Sequence, residues 1–248
     1  MKRIIIIGAT SGIGMKVTKQ YIRKGYRIGI AGRRTQLLED LKAIAPSMIE
    51  TESIDVTHEE AEKKLLNLIH KLGGMDLFLL SSGIGNQNPQ LDPSIEIQTA
   101  RTNTEGFTRM VTAAFRYFRT QGEGHIAVIS SIAGTKGLGI APAYSATKRF
   151  QNTYIEALAQ LAYMEHLSIR FTDIRPGFVA TPLLHNGQYP LLMKADYVAA
   201  KLIRAIEKKK RIAVIDRRYA FIVFLWRMIP RCLWERLSIR QTASQEEL

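Results

Sequence analysis

The chain has only one cysteine, Cys232, among its 248 residues. A lone thiol cannot form an intrachain disulfide, so the sequence excludes a disulfide-stapled secreted domain and favours a reducing compartment. Long apolar runs are also missing. Residues 1–12 have the basic start of a signal peptide, but their apolar run is too short for one and supplies the first predicted strand instead. We therefore expect a cytoplasmic protein.

Internal repeats, interdomain linkers and low-complexity segments are lacking too, so a second domain is not expected. The length suffices for one well-buried domain. Strand-like and helix-like patterns alternate, which predicts an α/β fold, a Rossmann-type doubly wound parallel sheet with helices on both faces, as a single domain at residues 1–215. The predicted strands are residues 4–7, 27–32, 49–54, 76–81, 126–130, 169–174 and 212–215. The main predicted helices are residues 15–25, 35–45, 97–120, 144–165 and 196–209.

A glycine-rich turn follows the first predicted strand in the segment IIIIGATSGIG, residues 4–14. Four consecutive isoleucines fit a strand that is buried on both faces. Gly8, Gly12 and Gly14 then permit a tight turn and a close approach of the backbone to a pyrophosphate, next to a helix N-terminus with free N–H groups. Glycine-rich turns end many strands, but this strand–turn–helix context predicts a nucleotide site.

Tyr144 and Lys148 lie four residues apart in the segment AYSATKRF. In a helix this spacing places both side chains on one face, one turn apart. A nearby cation stabilises phenolate, so we expect Lys148 to lower the pKa of Tyr144 from about 10 towards neutral pH. The pair by itself is also common on solvated helix faces. Beside a nucleotide site, it predicts a proton donor for a carbonyl group.

Together these motifs resemble the short-chain dehydrogenase/reductase family, in its main single-domain branch, over about residues 1–215. The glycine spacing is the family's GxxxGxG, and further matches follow in the family's order. Asp55 follows a predicted strand, Asn103 lies in TNTEG, Ser131 precedes Tyr144 by the usual separation, and RPGFVATP follows the sixth strand. The resemblance implies the catalytic residues Asn103, Ser131, Tyr144 and Lys148. It implies the cofactor-binding residues Gly8, Thr10, Ser11, Gly12, Ile13, Gly14, Arg33, Arg34, Asp55, Val56, Ser82, Gly83, Tyr144, Lys148, Pro176, Gly177, Val179 and Thr181.

The implied chemistry is hydride transfer between a nicotinamide and a substrate carbonyl, or the reverse with a secondary alcohol. Tyr144 would protonate the carbonyl oxygen and Ser131 would polarise it. By resemblance, Lys148 would also hold the nicotinamide ribose. Asn103 would tether a water that continues a proton path through Lys148 to solvent.

One departure from the family pattern follows the fourth predicted strand. The chain reads Leu80-Ser81-Ser82-Gly83, where the family usually has Asn-Asn-Ala-Gly. A serine hydroxyl supplies only part of the hydrogen bonding of an amide, so cofactor affinity or stability is affected while the catalytic groups are untouched. A catalytically weak, NADP-binding regulatory protein is the alternative function that this departure permits.

The end of the second predicted strand predicts the cofactor NADP(H). It reads Gly32-Arg33-Arg34, without the carboxylate that an NAD enzyme places on the ribose 2′-hydroxyl. The guanidinium of Arg33 could instead bind a 2′-phosphate. The alternative is that both arginines only cap a surface loop. No metal is predicted, because His185 has no partner at metal-ligand spacing and is expected on the surface of a lid.

The predicted substrate pocket is lined by residues 84–92 and 131–143 and by a lid at residues 177–194. Five apolar side chains suggest an apolar carbonyl or alcohol substrate: Leu183, Leu184, Leu191, Leu192 and Met193. By resemblance to the family, whose subunits commonly pair through their long helices, we expect a homodimer or homotetramer.

The positive charge is concentrated near the C-terminus. Residues 201–240 hold twelve Lys or Arg and three acids (12 − 3 = +9), most of the net charge of +13. Nucleic acid is not expected as a partner, because no recognition motif accompanies the charge. Residues 216–248 form a basic amphipathic C-terminal extension.

Within this extension, residues 219–237 are too interrupted by charge to span a bilayer. They could lie on an anionic membrane surface, as two short helices divided at Pro230, with Trp226 and Trp234 as anchors. A membrane-surface interaction protein is therefore a further alternative function. In the other interpretation, the segment packs on the protein or on a partner subunit.

Overall fold

The computed structural model describes residues 2–184 and 189–239, and in these ranges seven parallel strands form one sheet. In chain order they are β1 (Arg3–Ile7), β2 (Arg27–Gly32), β3 (Ile49–Ser53), β4 (Leu77–Leu80), β5 (Glu123–Ile129), β6 (Ser168–Arg175) and, after the short pair β7 (Val179–Ala180) and β8 (Met193–Lys194), β9 (Ile212–Val214). The sheet order is β3-β2-β1-β4-β5-β6-β9, and β7 pairs with β8 separately.

Helices cover both faces of this sheet. They are α1 (Gly12–Arg23), α2 (Thr35–Ile44), α3 (Ala61–Leu72), α4 (Pro93–Ala100), α5 (Phe107–Gln121), α6 (Pro142–Met164), α7 (Ala195–Glu207), α8 (Arg217–Met228) and α9 (Arg231–Trp234). A π-helical segment, Arg101–Gly106, joins α4 to α5, and a 3-10 turn, Ile132–Thr135, follows β5. The predicted doubly wound α/β fold is confirmed.

The position of β1 between two apolar layers explains its run of four isoleucines. Ile4 and Ile6 pack into one apolar layer with α1, α2 and α7, whereas Ile5 and Ile7 pack into the opposite layer with α3, α5 and α6. All four side chains are at most 1% exposed. Alternation along a strand therefore delivers successive isoleucines to two separate cores, which requires an unbroken apolar sequence.

Two local predictions are corrected. The spacing of Thr57 and Glu60 predicts a capping box for α3, but this prediction is wrong, because α3 begins at Ala61 without a side-chain cap and Thr57 instead donates two hydrogen bonds to the Asp55 carboxylate. The helix predicted at residues 97–120 begins earlier, because Asp92 caps α4 by accepting a 2.8 Å hydrogen bond from the backbone N–H of Ser94.

The predicted division of the C-terminal extension at Pro230 is confirmed, since α8 ends before it and α9 follows it. Residues 240–248 lie outside the described residues, as do residues 185–188 of the predicted lid, which include His185. No helix in the described ranges combines the length and the hydropathy that crossing a bilayer requires.

Candidate active site

A cavity of about 1040 Å³ opens at the carboxyl ends of the strands. The parallel topology brings the segments that follow β1, β2, β4, β5 and β6 to this edge. Most of the predicted site residues line the cavity: Gly8, Thr10, Ser11, Gly12, Ile13, Arg33, Arg34, Asp55, Val56, Ser82, Gly83, Ser131, Tyr144, Lys148, Pro176, Gly177, Val179 and Thr181. Gly14 and Asn103 lie behind its wall.

The glycine-rich turn is shaped by close backbone contacts. Gly8 has a φ of +86°, and a Cβ there would lie 2.6 Å from the backbone nitrogen of Ser82. A Cβ on Gly14 would overlap the carbonyl oxygen of Gly8, so Gly14 brings α1 against the turn rather than facing the cavity. The first residues of α1 line the cavity, and its first turn carries no acidic residue. A helix N-terminus in this position can bind an anionic group.

Two arginines lie at the end of β2 with different surroundings. The guanidinium of Arg34 donates hydrogen bonds of 2.9 and 3.2 Å to Thr10 Oγ1, which fixes it against the glycine-rich turn. The Arg33 side chain is 70% exposed, and its Nη1 lies 3.9 Å from an Asp55 carboxylate oxygen. Burial raises the pKa of Asp55, but hydrogen bonds from Thr57 and the charge of Arg33 outweigh it and lower the pKa overall.

The side-chain amide of Asn103 braces the segment in which the sequence departs from the family pattern. Asn103 Oδ1 accepts a 2.9 Å hydrogen bond from the N–H of Ile84, and its Nδ2 donates to the Ile84 carbonyl at 2.7 Å. Backbone hydrogen bonding also continues at Ser81, whose N–H donates to the Ile7 carbonyl at 2.8 Å. The segment after β4 is therefore held although Leu80 and Ser81 stand where the family pattern usually has asparagines.

Tyr144 and Lys148 occupy successive turns of α6, and the Lys148 Nζ lies 5.6 Å from the centre of the Tyr144 ring. Burial raises the pKa of Tyr144, and a hydrogen bond with Ser131 offsets this only partly. The structure therefore does not bear out the predicted lowering, because desolvation disfavours the phenolate more than its neighbours stabilise it. Burial likewise lowers the pKa of Lys148 to about 8, against the opposing charge of Asp173.

Gln151 is a buried site residue that the sequence analysis missed. Its Oε1 accepts a 3.1 Å hydrogen bond from the Lys148 ammonium, and its Nε2 donates a 2.8 Å hydrogen bond to the backbone carbonyl of Asn103. Lys148 also donates to the Ile129 carbonyl at 3.2 Å. The spacing of three residues within α6, which puts Gln151 and Lys148 on one face, is the signal that could have identified it.

Asp173 is a second residue that the sequence analysis missed, and its buried hydrogen-bond network lies behind Ser131. The Ser131 Oγ itself accepts a 3.1 Å hydrogen bond from the N–H of Ala133. Behind it, the carboxylate of Asp173, only 1% exposed, accepts hydrogen bonds from Ser130, Asn152 and Arg175. This network ties β5, β6 and α6 together where Ser131, Tyr144 and Lys148 meet.

Helix α8 forms part of the cavity wall, although the sequence analysis left it outside the site. Tyr219, Ile222 and Trp226 line the cavity. The Tyr219 hydroxyl donates to the Pro190 carbonyl at 2.9 Å and accepts from the N–H of Phe178 at 3.1 Å, so it connects α8 to both ends of the predicted lid.

The segment after α8 is also held to the domain. Trp234 Nε1 donates to the Gly137 carbonyl at 2.7 Å, and the Lys136 ammonium donates to the Ile229 carbonyl at 2.8 Å. The prediction that Trp226 and Trp234 anchor the segment in a membrane interface is wrong. Trp234 is buried, and the Gly137 carbonyl satisfies its indole N–H in that position. Trp226 packs on Trp234, with 5.4 Å between the ring centres.

Only part of the predicted lid lines the cavity. Leu183, Leu184 and Leu191 do so, whereas Leu192 is exposed and Met193 is buried in the core beside β7. Asn86, Gln87 and Ile140 add to the wall from the loops after β4 and β5. Within the described ranges, no cluster of three or more His, Cys, Asp or Glu side chains could hold a metal ion.

Comparison with known proteins agrees with this geometry. The family model for short chain dehydrogenase matches residues 2–201. An uncharacterized oxidoreductase of Mycobacterium tuberculosis (strain CDC 1551 / Oshkosh) is 29% identical over 249 residues, covering 96% of this chain and 97% of the relative. An uncharacterized oxidoreductase of Myxococcus xanthus (strain DK1622) is 31% identical over 193 residues, covering 75% of this chain and 76% of the relative.

Among solved structures, the closed form of serine dehydrogenase complexed with NADP+ is similar with a TM-score of 0.76 and 20% identity, covering 86% of this chain and 94% of that one. At this identity the likeness establishes the fold alone. The family model and the two relatives carry the assignment further. The chain therefore belongs to the short-chain dehydrogenase family of oxidoreductases.

Proposed function

We propose that the protein is an NADP(H)-dependent oxidoreductase that interconverts a carbonyl and a secondary alcohol. The observation that carries the proposal is that Ser131, Tyr144 and Lys148 line the same cavity as the glycine-rich turn. A hydroxyl donor, a phenol and an ammonium are the groups that a developing negative charge on a carbonyl oxygen requires.

The residues present fit a nicotinamide dinucleotide. Gly8 approaches the segment after β4 too closely for a side chain, and the first turn of α1 offers free N–H groups for a pyrophosphate. Arg33 is exposed at the end of β2, where it would bind a 2′-phosphate, and Asp55 beside it would contact the adenine. When bound, NADPH supplies the hydride for reduction of the substrate.

The protein's own groups handle the proton. Tyr144 donates it to the substrate oxygen, and its raised pKa keeps the phenol protonated at neutral pH, as the reducing direction requires. Ser131 donates a hydrogen bond to the same oxygen. Lys148 would hold the ribose hydroxyls of a bound nucleotide and restore the proton to Tyr144. Asn103 fixes the segment after β4, and it would tether a water of the proton path.

The substrate we propose is an apolar carbonyl compound. Much of the cavity wall is apolar, with side chains from four separate segments. These are Ile84, Leu138, Ile140, Phe178, Leu183, Leu191, Ile222 and Trp226. A pocket of this composition binds ligands mainly through burial of apolar surface. We further propose a cytoplasmic homodimer or homotetramer, supported by exposed apolar residues such as Phe150 on α6.

The proposal is tested by NADPH oxidation with a panel of aliphatic and aromatic aldehydes and ketones, measured by loss of absorbance at the nicotinamide band. We expect turnover with apolar ketones, and a preference for NADPH over NADH. Tight NADPH binding without turnover on the whole panel would instead favour the regulatory alternative.

A further inference from the structure

Helix α8 is apolar on two opposite faces. Its inner face carries Tyr219, Ile222, Val223 and Trp226, which pack on the core or line the cavity. Its outer face, the outer stripe, consists of Phe221, Phe224, Leu225 and Met228, which are 63%, 61%, 45% and 70% exposed. Both sets follow the spacing i, i+3, i+4, i+7 of a continuous helical stripe, and the two stripes point in opposite directions.

The outer stripe exposes more apolar surface than the packing of α8 on the domain explains. Four large apolar side chains stand in solvent side by side on one helix face, and Leu233 and Leu237, later in the extension, are 53% and 49% exposed as well. Scattered exposed apolar residues need no explanation, whereas a contiguous patch rimmed by polar residues marks an interaction surface.

The rim of this surface is positively charged. Residues 217–239 contain five arginines and one acid, Glu235. Glu235 is paired with Arg231, and Asp216 before the helix is paired with Arg218. Arg217, Arg227 and Arg236 are exposed and make no ion pair within the described part of the chain. Arg217 lies in line with the outer stripe, and Arg227 flanks it.

We propose that the outer stripe is a membrane-docking surface that binds anionic lipid. Exposed rings and aliphatic chains insert at the headgroup boundary, and the arginines beside them contact lipid phosphates. A second copy of the chain fits the surface less well, because a twofold contact would bring the arginines of both copies together. The anchors are therefore Phe221, Phe224 and Met228, not the tryptophans.

Docking would place the active-site cavity next to the bilayer, because Ile222 and Trp226 on the inner face of the same helix line it. Resting on the proposed function, this points to the substrate class, an apolar long-chain carbonyl compound that partitions into membranes. Such a molecule could enter past α8 without crossing water.

The test is flotation of the full chain, without cofactor or substrate, on vesicles of phosphatidylcholine alone or mixed with phosphatidylserine. The double variant Phe221→Ser, Phe224→Ser, called the outer-stripe variant, removes the two aromatic rings of the outer stripe. Its control is Tyr163→Ser, Met164→Ser, at exposed positions at the end of α6, 83% and 67%. Arg217→Gln, Arg227→Gln tests the charge, and its control is Lys19→Gln, Lys63→Gln. Circular dichroism checks that every variant is folded.

We expect binding to the anionic vesicles that falls with added salt. The arginine variant should bind about twenty-five-fold more weakly, because each of the two basic residues near an anionic leaflet contributes a factor of about five. The outer-stripe variant should bind at least as weakly, while both controls bind like the parent. The proposal would be overturned if the folded parent did not bind the anionic vesicles, or if the outer-stripe variant bound them as tightly as the parent. It would also be overturned if sedimentation equilibrium showed the parent to be a dimer and the outer-stripe variant to be a monomer.

A separate experiment measures the turnover of the parent and of the outer-stripe variant. On a short water-soluble ketone, the outer-stripe variant should match the parent, whereas on a long-chain ketone presented in anionic vesicles its turnover should fall. Equal turnover of the vesicle substrate by both would overturn the assigned substrate class. If the parent bound vesicles but reduced neither ketone, the proposed function would fail and the docking surface would stand.

Discussion

The Lys148 ammonium donates a 3.1 Å hydrogen bond to Gln151 Oε1, and through that amide it is joined to the backbone carbonyl of Asn103. The two residues therefore form a fixed, buried pair, with Lys148 4% and Gln151 1% exposed. An amide of this kind orients an ammonium and stabilises its charge without itself titrating.

The first prediction follows from this pair. Gln151→Leu should lower the pKa of Lys148 further, because a hydrogen-bond acceptor is lost, and turnover at neutral pH should fall about tenfold. Gln151→Glu should raise that pKa, since it introduces an opposite charge. The measurement is kcat against pH, with the exposed Gln160→Leu on the same helix as control. Unaltered pH profiles in both Gln151 variants would show that Gln151 is only a packing residue.

The second prediction concerns alkaline pH. The Lys148 pKa of about 8, below its ordinary value of 10.5, means that the side chain is protonated below about pH 8 and neutral above it. Because the ammonium is the form that acts, kcat for reduction should decline as the pH rises through 8. Asp173→Asn should move this decline to lower pH, because the negative charge of Asp173 raises the Lys148 pKa. A flat profile between pH 7 and 10 would contradict the assigned role of Lys148.

The third prediction concerns cofactor choice. Arg33→Ala should weaken NADPH binding about tenfold or more and leave NADH binding nearly unchanged, because only NADPH carries a 2′-phosphate. Arg34→Ala should weaken both, since Arg34 holds Thr10 of the glycine-rich turn. Dissociation constants from fluorescence titration provide the measurement, with Arg23→Ala on the exposed end of α1 as control. Equal losses for the two cofactors in Arg33→Ala would identify a structural arginine.

The fourth prediction concerns stability in acid. Burial, together with nearby cationic charges, lowers the pKa of His125 to about 4 from 6.5, and its Nε2 is 2.8 Å from Thr172 Oγ1. Between these pH values the unfolded chain binds a proton that the folded chain does not. The free energy of unfolding should therefore fall by about 2–3 kcal/mol as the pH drops from 6.5 to 4.

His125→Gln should remove most of that slope, measured by urea denaturation at several pH values. The exposed His70→Gln is the matched control and should keep it. An unchanged slope in His125→Gln would assign the acid sensitivity to the carboxylates.

The sequence predicted the parts of the fold that local pattern determines. Four isoleucines followed by spaced glycines specify a buried strand, a tight turn and a helix, and β1 and α1 lie where expected. The order of strands and helices then brings Ser131 and Lys148 to one edge of the sheet, since parallel crossovers leave little choice.

Interactions between distant segments were not predictable in the same way. Thr57 could cap α3 or bond to Asp55, and in the structure its N–H and its hydroxyl both donate to the Asp55 carboxylate. The pKa of Tyr144 depended on how deeply its hydroxyl is buried, which spacing does not reveal. The two-faced character of α8 emerged only when its inner face, with Trp226, was seen against the cavity.

The most direct test of the central claim uses NADPH carrying deuterium at the transferred position, an apolar ketone found in the substrate panel, and the variant Tyr144→Phe. The parent should yield the secondary alcohol with deuterium on the carbinol carbon. Tyr144→Phe should bind NADPH like the parent but form this product roughly two to four orders of magnitude more slowly, because the ring remains and the proton donor is gone. Tyr163→Phe, at an exposed position on the same helix, should behave like the parent. Near-parental formation of the deuterated alcohol by Tyr144→Phe would contradict the account.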